Sequence, residues 1–175
     1  MIFLRKLQED DLKIILNWKK KKEYLSKEHS LTMEFEKNWF NNIEMDESCK
    51  YWVINSGAIK VGIAGINHIN VKDKSCDLEC IVEEKHFRNR GIDEIVISNL
   101  LEYAFDEINM EKVYIKELEN NDIFSKDECT KCIDGIGSGL FSNKIELFGY
   151  EFILIDKTDW KKFREHYLLE RINID

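Results

Sequence analysis

The spacing of apolar positions changes period several times along the chain, and each change marks an element. Ile2 to Leu7 predicts a short first strand. Glu9-Asp10-Asp11 follow, and an acidic first turn suits the positive end of a helix. Leu12, Ile15, Leu16 and Trp18 fall near helical spacing, so residues 9–22 are predicted as an amphipathic helix. Thr32 is a good N-cap with Phe35, Trp39, Phe40 and Ile43 behind it, which predicts a second helix over about 33–45.

The period then shortens to two. Tyr51 to Ile54 predicts a strand, and Asn55-Ser56-Gly57 is turn chemistry. Ile59 to Val71 predicts the next strand, with Ile59, Val61, Ile63, Gly65, Asn67 and Ile69 on one face. After a turn at Asp73-Lys74, Cys76 to Glu83 predicts a third strand, completing an antiparallel meander over 50–83. Alternation puts Cys76, Leu78, Cys80 and Val82 on one of its faces and Asp77, Glu79, Ile81 and Glu83 on the other.

From Gly91 the helical period returns, with Ile92, Ile95, Val96, Asn99, Leu100, Tyr103, Ala104 and Ile108 on one face. Lys112 to Leu118 alternates as a strand, and 120–140 has weak periodicity and many turn formers. Residues 141–147 predict a short helix, and Tyr150 to Ile155 a last strand. Thr158 is expected to cap a final helix carrying Trp160, Phe163, Tyr167 and Leu168. The order predicts an α+β fold, a mixed and mostly antiparallel sheet flanked by helices. No repeat or linker divides the chain, so residues 1–175 are expected to form one domain.

Composition narrows the partners. An apolar fraction of 43% with 34% charged residues reads as globular, and a net charge of −8 argues against nucleic-acid or anionic-membrane surfaces. The start lacks the pattern of a signal peptide, and no run approaches membrane-spanning length, so a cytoplasmic address is expected. Five cysteines without an export signal read as reduced thiols. Cys129-Thr130-Lys131-Cys132 is a CxxC that, with Cys76 and Cys80, offers a weak zinc or redox signal; no metal is expected.

The chemistry concentrates between the third meander strand and the helix after it. Helix N-termini carry unpaired amides and partial positive charge, which together attract anions. Arg88, Asn89, Arg90 and Gly91 at such a start supply charge-assisted donors and a backbone that a phosphate can approach closely. In sequence, Phe87-Arg88-Asn89-Arg90-Gly91-Ile92-Asp93 followed by Leu100-Leu101-Glu102-Tyr103-Ala104-Phe105 resembles the acetyl-CoA motif of the GNAT superfamily of N-acetyltransferases, Arg/Gln-x-x-Gly-x-Gly/Ala. Asn38-Trp39-Phe40, Val61 to Ile66 and Phe148-Gly149-Tyr150 have counterparts in the same order, and the resemblance spans roughly residues 2–170. It implies acetyl-CoA as cosubstrate. The pyrophosphate would lie on the loop Arg88 to Asp93, Ile92 included, and pantetheine along Ile81, Val82 and Glu83, with Asn120 or Asn121 approaching CoA.

Three departures stand out. Asp93 occupies a position where the family prefers Gly or Ala, residues 122–140 read as an insertion, and the usual general-acid Tyr corresponds to Ile145. Acetyl transfer needs a group to take the amine's proton, and Glu79 and His68 are the candidates on the meander. The plain reading of both is a polar strand residue. Trp39, Tyr51 and Trp52 read as core or groove wall. Lys19 to Lys22 read as a solvated helix end, with the CoA 3′-phosphate or an acidic substrate as alternative contacts.

Within the superfamily, Asn17-Trp18, Glu36 to Phe40, and Tyr51 through Ile69 resemble acetyltransferases acting on 4-amino-sugar nucleotides. Ribosomal-protein-type N-terminal acetyltransferases share much of the pattern, including Leu101 to Phe105. The resemblance therefore implies a small-molecule amine acceptor, with a protein N-terminus second and a catalytically degenerate binding or assembly module third. A homodimer is the expected assembly.

Overall fold

Acidic residues after the first strand form a tight turn rather than a helix start. The computed structural model describes residues 1–23, 32–88, 90–116, 144–147, 150–166 and 169–175. β1 (Ile2–Lys6) leads through a 3-10 turn at Glu9–Asp11 into α1 (Leu12–Glu23), and α2 (Met33–Met45) follows. Asp11 is buried there because Arg5 and Lys60 each reach its Oδ1 at 2.7 Å. Thr32 caps α2 as expected, its hydroxyl accepting the Phe35 amide at 3.2 Å.

The meander is β2 (Lys50–Ser56), β3 (Ile59–Asn70) and β4 (Ser75–Val82). A 3-10 turn at Lys85–Phe87 precedes α3 (Ile92–Glu102), which ends in a π-helical turn at Tyr103–Glu107. Then come β5 (Lys112–Lys116), β6 (Lys144–Leu147), β7 (Tyr150–Asp156), α4 (Lys157–Arg164) and β8 (Asn173–Ile174). Among the described residues the sheet order is β6-β7-β5-β4-β3-β2-β1-β8. Neighbours are antiparallel except β4 with β5 and β1 with β8. The mixed, mostly antiparallel sheet flanked by helices is therefore as the sequence predicts.

Each face of the sheet has its own core. Trp52, Ile54, Ala64, Ile66, Leu78 and Val82 pack with Val96, Leu100 and Phe105 of the α3 segment and Trp160 of α4. Leu7, Val53 and Ile63 pack with Ile15 and Trp18 of α1, and Trp39 and Phe40 of α2 lie against them.

Four local expectations are corrected. The single face assigned to β3 holds only in its middle. The register slips at Ile54/Asn55 and again between Asn67 and Asn70, so Val61 and Ile69 join the α3-side core while Ile63 joins the other. Lys144–Leu147 is a strand, not a helix, because it pairs antiparallel with β7. Asp156 rather than Thr158 caps α4, its carboxylate accepting the Thr158 amide at 2.7 Å. The tail adds an unpredicted strand, β8. Asn99 steers it, donating to Glu170 O at 2.8 Å and accepting from the Ile172 amide at 3.2 Å.

The CxxC at Cys129 and Cys132, the 122–140 insertion, Leu118, Asn120, Asn121, Phe148, Gly149, Tyr167 and Leu168 lie outside the described residues. Cys49 and Cys76 are free thiols, and burial pushes Cys76 up to about 12, so it stays protonated.

Candidate active site

Among the described residues β4 pairs with β5 from Ser75↔Lys112 to Leu78↔Ile115 and continues to Val82. Beyond Leu78 one edge of β4 pairs with β3, and no described strand pairs with the other. The Glu83 N–H donates to Val61 O on β3 at 2.8 Å. Successive peptide groups point to opposite edges of a strand, so the amides of Ile81 and Glu83 face β3 while those of Cys80 and Val82 face away from it. Of Ile81, Val82 and Glu83, expected along pantetheine, only Val82 turns its amide away from β3, and Cys80 does the same. The phase of the alternation needed one cross-strand bond to set it, and sequence spacing alone lacks that bond.

The strand end is held firmly. Glu83 and Glu84 amides both donate to Val61 O, at 2.8 and 3.1 Å, and the Trp18 indole donates to Glu84 Oε1 at 2.8 Å. Arg88 folds back along β4, its Nε donating to Val82 O at 3.1 Å and its Nη2 to Glu83 O at 2.9 Å. That guanidinium, expected as a phosphate donor, braces the corner between strand and loop. Arg90 is exposed, with its guanidinium carbon 5.4 Å from the Phe87 ring centroid. Asn89 lies outside the described residues.

Gly91 starts α3 with φ 71° and ψ 14°, a left-handed conformation that side-chain-bearing residues resist. Ile92 is buried beneath the first turn. Asp93 turns onto its own helix, where its Oδ1 accepts the Glu94 amide at 3.1 Å. A carboxylate thus already uses one amide of the helix start, at the position where the motif favours Gly or Ala.

On the α1/α2 side of the sheet, Glu79 follows Leu78, the last β4 residue paired with β5 among the described residues. Its Oε2 accepts from Asn67 Nδ2 at 3.3 Å and from the Tyr51 hydroxyl at 3.5 Å. Tyr51 packs edge-on against Trp39, with centroids 5.2 Å apart. His68 is not brought to this group. It lies toward the β3–β4 turn, 81% exposed, with Nδ1 2.7 Å from Asp77. The lysine run is also partly reassigned, since Lys19 is ion-paired at 2.9 Å with Glu36, whose side chain is 0% exposed.

No helix among the described residues is long and apolar enough to cross a membrane. Among those residues no group of three or more His, Cys, Asp and Glu is gathered to hold a metal ion.

A mixed sheet with a glycine-started helix directly after β4 is the setting expected for the acetyl-CoA motif of an N-acetyltransferase. The chain belongs to the GNAT acetyltransferase family: the profile "Acetyltransferase (GNAT) domain" matches residues 2–123. No curated protein sequence matches it. Among solved structures it is similar to a chimera of the Vibrio cholerae spermidine N-acetyltransferase SpeG with hSSAT, at TM-score 0.71 and 18% identity, covering 91% of this chain and 98% of that one. The V. cholerae enzyme in complex with CoA and spermine gives 0.70 and 17%, over 91% and 98% of the two chains. The Campylobacter jejuni N-acetyltransferase PseH gives 0.65 and 16%, over 89% and 98%. At these identities the likeness speaks for the fold.

Proposed function

We propose that this acetyltransferase acts on a primary amine of a small molecule, an amino-sugar nucleotide foremost, with Glu79 as the base. The observation that carries the site is the left-handed Gly91 that starts α3 directly after β4. Bound acetyl-CoA would supply a thioester. The outward amide of Val82 suits its amide-bearing arm, and the Gly91 helix start with Arg90 suits its phosphates. Arg88 keeps the corner in shape.

An amine arrives largely as ammonium and must shed a proton before it can attack. Glu79 takes that proton, directly or through a water, and releases it to solvent. The nitrogen then bonds to the acetyl carbon as the carbon–sulfur bond breaks. The nitrogen's remaining excess proton ends on the sulfur, giving an amide and a free thiol. Glu79 is favoured over His68 because it lies on the sheet face against Tyr51 and Asn67, whereas His68 is solvent-facing and bound to Asp77.

Two features support a small, ring-bearing acceptor. Trp39, half-buried and edge-on to Tyr51, offers an apolar wall near Glu79 that a sugar ring can lie against. The carboxylate of Glu36 on the same side is already neutralised by Lys19, which makes it a poor anchor for a polycation.

Calorimetry with acetyl-CoA, then thiol release with an amino-sugar nucleotide, spermidine and N-terminal peptides, tests this reading. Micromolar acetyl-CoA binding with turnover of the amino-sugar nucleotide is expected. Activity on peptides alone would transfer the assignment to a protein N-terminus. No heat and no thermal stabilisation at millimolar acetyl-CoA would leave a binding module.

A further inference from the structure

Three residues in cross-strand register carry an arrangement that the base alone does not require. Tyr51 on β2 pairs with Gly65 on β3, and Gly65 pairs with Glu79 on β4. A side chain at 65 would put its Cβ 2.7 Å from Tyr51 Cε1 and 2.9 Å from Cδ1. The Tyr51 ring therefore lies directly on the Gly65 backbone and spans the middle strand, which brings its hydroxyl to Glu79. Trp39 stands against the ring on the helix side, so the ring is confined between glycine and indole. Burial, and then the neighbouring Glu79 charge, raise the Tyr51 phenol well above its usual range, so it remains a donor. Asn67 adds a second donor from β3, and both converge on Oε2. Among the described residues no donor reaches Oε1.

We infer that Tyr51 and Asn67 are positioning residues that hold Glu79 by Oε2 and turn Oε1 toward the incoming amine, and that Gly65 is glycine so that Tyr51 can reach. This rests on Glu79 being the base proposed above. A strand carboxylate has several rotamers, and a base is effective only within hydrogen-bond reach of the proton it takes. Two donors on one oxygen select a rotamer while the other oxygen stays available. The 3.5 Å hydroxyl contact is long, as catalytic contacts often are before substrate closes a site.

The test is a mutant cycle on the whole protein, read as steady-state kinetics with the best acceptor at about pH 7.5, where a primary amine is largely ammonium and needs the base. Y51F and N67A should each lower kcat by roughly 5–10-fold with the acetyl-CoA KM unchanged. G65A, which keeps the hydroxyl but displaces the ring, should reproduce Y51F. In an E79Q background none of the three should lower kcat further. Each variant is first checked for an unchanged melting temperature, and N67A serves in place of any aromatic variant that fails to fold. If Y51F and N67A lower kcat as much with E79Q as without it, the inference fails and both residues are merely structural. If E79Q itself keeps full activity across the pH range, the assignment of the base fails first, and the cycle shows this separately.

Discussion

The indole of Trp18 donates to Glu84 Oε1 at 2.8 Å and ties α1 to the point where β4 leaves the sheet. Trp18 is 3% exposed, so the bond lies at the edge of the α1-side core. Trp18→Phe keeps the apolar body and removes the donor. A hydrogen bond to a charged group is worth about 1.5–3 kcal/mol, and the partly exposed Glu84 argues for the lower end. A fall in melting temperature of roughly 4–6 °C is expected, with weaker CoA binding as the loop entry loosens. Calorimetric scans with and without CoA check both, and an unchanged Kd would detach Glu84 from the loop's geometry.

Gly91 is required for conformation rather than space, because a Cβ there meets only Glu94 Oε2, at 3.8 Å. A β-branched residue at φ 71° is strained by about 1–2 kcal/mol. Gly91→Val should weaken CoA binding by more than tenfold while the protein still folds, and Gly91→Asn should do far less harm. Titration calorimetry on the pair decides the point; equal affinity for Val and Gly would remove the loop from the site.

Asp93 should hinder its own ligand. Two unit charges about 4 Å apart interact by roughly 1 kcal/mol in water, which corresponds to about fivefold in affinity. Asp93→Ala is therefore expected to tighten CoA binding several-fold at low salt, and less at high salt. It should cost about 0.3–1 kcal/mol of stability, since an acidic residue at a helix start is favourable. Weaker binding by the variant would show that Asp93 helps hold the loop.

Asp11 supplies a pH test of the fold. Burial alone would raise its carboxyl, but hydrogen bonds from Arg5, Lys60 and the Gln8 amide outweigh that and hold it below the usual range. A carboxylate depressed on folding stabilises above its unfolded value, near pH ~4, and that contribution is lost as pH falls through the folded value. Denaturant melts should show stability dropping below about pH 4, with a flatter profile in Asp11→Asn. An identical acid slope would mean that other groups govern it.

Lys19→Met should expose the cost of Glu36. Removing one partner of a buried pair costs about 3–5 kcal/mol, and on the order of 2 kcal/mol is expected here because the lysine is partly exposed. Denaturant melts read the loss, and Glu36→Gln in the same background should recover much of it.

What the sequence determined was local. Thr32, the change of period at Tyr51, and the Gly91 loop between strand and helix are written in neighbouring residues, because caps, pleats and left-handed turns depend on a few adjacent side chains. The same reach explains the misreadings. Lys144–Leu147 is a strand because β7 lies beside it, and Val61 changes core because a bulge beside Ile54 shifts the phase.

The candidate site divides the same way. That a glycine-started helix follows the strand was legible from Arg88 to Asp93, but the roles within it were not: Arg88 faces back along β4, and Asp93 accepts an amide of its own helix's first turn. Glu79 and His68 were both read as polar strand residues that could serve as a base. Their surroundings are tertiary: Glu79 meets Tyr51 and Asn67 across the sheet, whereas His68 lies in a bulge and faces solvent. Tyr51, Gly65 and Glu79 are far apart in the chain and become neighbours only through strand register, a property of three strands together that no local spacing encodes.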